Sequence, residues 1–166
     1  MDNLDTTKRN ELIGQFVLVS MPKVAAEEIP AEEIEQALSR LIYDFGHDLE
    51  AHNVIIRGLD DISEKRPEKA RNLTLRAVTD ANVKHNWGDT AEDETARQSR
   101  VALESKLALL WKHMLVNAPQ LSHAQKMAEA QQVVRTMGMS SAVLVSQAQQ
   151  AVQHLRENPV YAAQPW

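Results

Sequence analysis

The sequence predicts a mostly α protein, a bundle of about five or six helices with room for a small β element in residues 10–80. Three observations lead there. The strong helix formers Ala, Glu, Lys, Arg and Leu dominate the chain. Apolar residues recur at helical spacing, most clearly from Ile34 to Leu49. Residues 90–158 carry three capped helical segments with short connections, the pattern of an up-down bundle. The alternative is an α+β arrangement with an N-terminal β-α-β-β unit ahead of a C-terminal three-helix bundle. With 166 residues, the chain is expected to form a single domain over 1–166. Within it, 90–158 is the C-terminal bundle and 159–166 an aromatic tail.

Leu12, Ile13, Phe16 and Val17 have helical spacing, but the run Phe16 to Val19 equally suits a short strand, and Pro22 ends either. Pro30 suits a first helical turn, where a missing N–H costs nothing. Glutamates around it favour the positive end of the helix dipole. Ile34, Leu38, Leu41, Ile42, Phe45 and Leu49 then define an amphipathic helix over about 31–51. Asn53 to Leu59 holds three β-branched residues in a row, which favour a strand. A helix over about 67–84 would align Ala70, Leu73, Ala77 and Ala81; a strand through 72–78 is its rival.

Asn86 to Asp89 reads as a turn. Thr90, with Asp93 three residues on, reads as the cap of a long helix reaching about Asn117. Ala96, Leu103, Leu107, Leu110 and Met114 form one stripe, with Trp111 beside it, and Val101, Ala108 and Leu115 form another; apolar residues on more than one side mark it as the central helix. Ser122 and Gln125 form a second capping box, and Gly138 reads as that helix's stop. A last helix starts near Ser140 or Ser141, buries Val143, Leu144, Ala148, Ala151, Val152 and Leu155, and ends at Asn158-Pro159.

Composition narrows the function classes. Hydrophobic residues make up 43% of the chain, enough for a core without a covalent staple. There is no cysteine, so a disulfide framework and a Cys-based zinc site are excluded. The N-terminus lacks the apolar region of a secretory signal, and no apolar run approaches the roughly 18 to 20 residues that cross a bilayer. The expectation is therefore a cytoplasmic protein without a membrane role. The net charge of −5 argues against wrapping a phosphate backbone. Residues 121–166 carry +1 and the other 120 carry −6, so the Ala/Gln-rich C-terminal third lacks the charges that keep a helical surface dispersed.

Five glycines leave little material for phosphate-binding loops, and no nucleophile elbow or Ser-His-acid order can be read. Asp44, His47 and Asp48 sit at i, i+3 and i+4 and so share a helix face, with His52 further round, and are the metal candidates. His85, His113, His123 and His154 are scattered. Met114, Met127 and Met137 fall on apolar stripes and read as core, while Met139 sits at a turn, where exposure is open to it. The hairpin at 124–156 imitates a helix-turn-helix, with Gln147 and Gln150 as the side chains that would read bases. Lys and Arg are absent from 136 to 155, which disfavours nucleic acid as a partner. Tyr161, Pro165 and Trp166 supply the aromatic and apolar area that anchors interfaces. The reading is a non-catalytic protein-interaction module: a small regulator, chaperone or assembly subunit, with a protein partner or a second copy and no cofactor. A helix-turn-helix regulator is the rival, and an enzyme whose site the sequence hides comes third.

Overall fold

The computed structural model describes residues 7–11, 13, 31–87 and 93–158. They fold as six helices, with residues 7–11 and 13 also helical, and no strand occurs among the described residues. The helices are α1 (Ala31–Phe45), α2 (Leu49–Lys65), α3 (Pro67–Trp87), α4 (Glu94–Val116), α5 (His123–Thr136) and α6 (Ala142–Glu157). The mostly α expectation holds, and the β-α-β-β alternative is not supported, since 53–59 and 72–78 are helical; Phe16 to Val19 lie outside the described residues.

The expected helix over 31–51 is two helices. From α1, Ala37, Leu38, Leu41, Ile42 and Phe45 are buried. The helix stops at Gly46, whose N–H still donates to the Ile42 carbonyl at 3.0 Å. Asp48 then caps α2, its side chain accepting from the Glu50 N–H at 2.8 Å. A Cβ on residue 46 would lie 2.5 Å from the Ile42 carbonyl oxygen and 3.0 Å from Arg100 Nη1. The joint thus needs glycine for space.

The strand expected at 53–59 is the middle of α2. Ala51, His52, Ile55, Gly58, Leu59 and Ile62 are buried on one helical stripe. Burying that stripe outweighs the few tenths of a kcal/mol by which β-branched residues disfavour a helix. The strand weighed at 72–78 is likewise helical, inside α3. Pro67 opens α3. Ala70, Leu73, Thr74, Ala77, Val78 and Ala81 are buried, and the alanines let α3 and α4 pack along their lengths. Asn86 and Trp87 belong to α3 rather than to a turn. Asp93, not Thr90, caps α4, accepting from the Ala96 N–H at 2.7 Å; Thr90 lies outside the described residues.

α4 is the central helix, as expected, touching α2, α3, α5 and α6. It buries Leu103, Leu107, Ala108, Trp111, Met114 and Leu115. Core residues from all six helices join into one continuous cluster. The Ser122–Gln125 capping box is present on α5. Helix α5 ends at Thr136 with Met137 as its cap; Gly138 follows without a left-handed φ. Ser141 caps α6. Met114 is buried, Met127 and Met137 pack against the core, and Met139 is fully exposed.

Buried polar ties hold the helices in register. Arg71 on α3 forks onto Glu129 of α5 at 2.8 and 3.2 Å. Glu104 on α4 accepts from Asn82 of α3 at 2.9 Å and from the Ser141 hydroxyl at 2.5 Å.

Candidate functional site: a cationic groove along the central helix

The outward face of α4 lines a groove of about 700 Å³. Helical spacing creates it: Lys106, Leu109, His113 and Val116 follow one another at three- and four-residue intervals, with Leu110, Lys112 and Asn117 beside them. Ile56 of α2 and His154 of α6 complete the walls. The floor is aliphatic. Leu109 is 52% exposed. The rim carries two lysines and two histidines, and none of the lining residues is acidic.

The ammonium groups are anchored without being neutralised. Lys106 Nζ donates to His52 Nδ1 at 3.0 Å, and His52 Nε2 donates to the Gly46 carbonyl at 2.5 Å. His52 is fully buried on α2. Burial, above all, holds its imidazole below the ordinary histidine range, with Lys106 and Arg100 adding to the effect and the Gly46 carbonyl and Asp48 opposing it. A neutral imidazole with one acceptor nitrogen is therefore the species that receives the Lys106 ammonium. Lys112 Nζ donates to Gln150 Oε1 at 3.2 Å. Both partners are neutral, so both charges remain facing the groove. Asn117 Nδ2 donates to the His113 carbonyl at 2.9 Å and to its Nδ1 at 3.2 Å, fixing that ring against the helix end.

The metal candidates do not converge. Because α1 ends at Phe45, Asp44, His47 and Asp48 do not share a helix face. Asp44 pairs with Lys8 at 3.4 Å. His47 Nδ1 accepts from Arg100 Nη2 at 3.1 Å, while Arg100 Nη1 donates to the Ile42 carbonyl at 2.9 Å. Asp48 accepts from Arg9 at 2.6 Å and caps α2. Burial pushes the Asp48 carboxyl up, but the bonds from Arg9 and from the Glu50 and Ala51 N–H groups outweigh it, and its pKa lies below the ordinary value. No cluster of three or more potential ligands occurs among the described residues.

The hairpin of α5 and α6 buries one face of its second helix and leaves Ser146, Gln149, Gln150 and Gln153 exposed on the other. α6 packs on α4 and α5 through Leu144, Ala148, Ala151, Val152 and Leu155. Gln147 is half-buried, with Oε1 shut away from solvent. Gln150 is exposed and tied to Lys112 at the groove's edge. Tyr161, Pro165 and Trp166 lie outside the described residues.

Sequence reasoning missed Lys106, Leu109 and Lys112. The signal was present, since basic and apolar residues share one stripe of a helix whose remaining faces were already accounted for as core. No helix among the described residues is long and apolar enough to cross a membrane. The chain matches no protein-family model, no curated protein and no solved structure.

Proposed function

We propose that this protein is a non-catalytic interaction module that docks a protein partner in the α2/α4/α6 groove. The observation that supports this reading is an aliphatic floor with a half-exposed leucine, flanked by Lys106 and Lys112, which bond to a neutral imidazole and a neutral amide. A small ligand is usually buried over most of its surface. Here Leu109, His113 and Asn117 open to solvent along the length of the helix, which suits a macromolecule laid across the surface. The cysteine-free composition fits a reducing, cytoplasmic setting.

The test compares wild type with Leu109→Asp in partner capture from native lysate, with nuclease present. Leu109 is half-exposed, so the variant should keep its melting temperature within a few degrees while losing about tenfold or more of the captured partner. Equal capture by both proteins would remove the groove from the interaction.

A further inference from the structure

We infer that the groove's occupant is an acidic amphipathic helix of a partner protein, an inference that rests on reading the groove as a docking site. Three features of the groove select that chemistry. The first is charge. Lys106 and Lys112 bond to a neutral imidazole and a neutral amide. Arg9, Arg71 and Arg76, by contrast, are offset by the carboxylates of Asp48, Glu129 and Glu35. A patch of unoffset cations on a chain of net charge −5 attracts carboxylates locally, and it steers an acidic segment there rather than to the surrounding surface.

The second feature is shape. Lys106 to Asn117 covers about 16 Å of α4 at roughly 1.5 Å per residue, room for about three turns of a docked helix. The floor of Ile56, Leu109, Leu110 and Val116 is one apolar stripe wide, matching the i, i+3, i+4, i+7 face of an amphipathic helix. The third feature is the backbone. An extended peptide gains affinity by pairing with an open sheet edge. The described residues are helical and offer no such edge. A helix satisfies its own N–H and C=O groups and needs only side-chain complementarity.

The occupant's design follows. Leucine-like residues at i, i+3, i+4 and i+7 would cover Leu109 and Leu110, with glutamate or aspartate on both flanks facing the Lys106 and Lys112 sides. The probes are two fluorescein-labelled helical peptides, about four turns long, sharing that leucine stripe; one carries Glu and the other Lys on the flanks. Binding is read by anisotropy on the full chain. The Glu probe should bind at least tenfold tighter than the Lys probe. Lys112→Glu should weaken the Glu probe severalfold and strengthen the Lys probe, and Leu109→Asp should weaken both. Lys112 is at the surface, so this variant stays informative if Lys106→Glu, which also loses the His52 contact, fails to fold. Equal affinity for the two probes, no binding of the Glu probe, or indifference to Lys112→Glu would overturn the inference. A dimer seen by sedimentation and dispersed by Leu109→Asp would make a second copy the occupant and overturn it as well. Should Leu109→Asp abolish capture of a partner whose docking segment is basic or uncharged, the docking reading would stand and only the acidic occupant would fall.

Discussion

At the scale of single residues, the joint between α1 and α2 carries the sharpest consequences. Gly46 sits where a Cβ would lie 2.5 Å from the Ile42 carbonyl oxygen, an atom that already accepts from the Gly46 N–H and from Arg100. Gly46→Ala must shift that backbone and is expected to cost about 1–3 kcal/mol. At Gly138 an added Cβ meets nothing and the backbone has no left-handed φ, so Gly138→Ala should be neutral or stabilising by up to about 1 kcal/mol. Denaturant midpoints of the pair read the contrast. His52 adds a pH dependence. Its folded pKa lies below the ordinary value of about 6.5, so the unfolded chain takes up the proton first. Stability should be complete above about pH 6.5 and fall as the pH drops below it, until the folded imidazole itself protonates. Asp48, with a lowered pKa, acts in a separate and more acidic window. Melting temperatures should decline from about pH 7 to 5 in the wild type and less so in His52→Gln. Identical slopes in the two proteins would show that the buried imidazole is not responsible. Glycine in Gly46-His47-Asp48 was a legible break. It was masked in sequence by Leu49, which continues the α1 apolar spacing but is 63% exposed and belongs to the next helix.

At the scale of elements, caps and stripes explain which helices were legible. Helix α5 follows its capping box, and α6 starts at the expected serine. α2 was misread because Val54, Ile55 and Ile56 carry a local preference for strand, whereas the deciding term is a stripe whose members, from Ala51 to Ile62, spread over twelve residues. Local preference is worth tenths of a kcal/mol and burial of such a stripe several. Ser141 shows how a cap can also be a core contact. Its hydroxyl accepts from the Leu144 N–H at 3.1 Å and donates to the buried Glu104 carboxylate. Ser141→Ala should therefore cost about 2–3 kcal/mol, since it loses the cap and one donor to a buried charge. Ser122→Ala removes an exposed cap and should cost about 1 kcal/mol. Equal losses at the two serines, measured by chemical denaturation, would mean that the Glu104 contact contributes nothing.

At the scale of the whole molecule, one helix organises both the core and the surface. α4 buries Trp111, Leu107 and Leu115 completely, and the same helix turns Leu109 outward between Lys106 and Lys112. The groove itself was not singled out in the sequence. The chain's overall charge of −5 conceals a local cationic groove: Lys106 and Lys112 share one helix, but only the packing of α2 and α6 on α4 brings Ile56 and His154 to them as walls. Of the partner-binding candidates, Gln150 borders the groove through Lys112, whereas Gln147 is half-buried in the hairpin. The most direct measurement is site-specific photocrosslinking in native lysate, with the photoreactive residue at position 109 and, as a control, at Ala128, which is exposed on α5 and does not line the groove. One dominant crosslinked protein is expected from position 109, attached through an acidic amphipathic segment, and none of it from position 128. Crosslinks of equal yield and identity from both positions, or none from position 109 while a partner is still captured, would contradict this expectation.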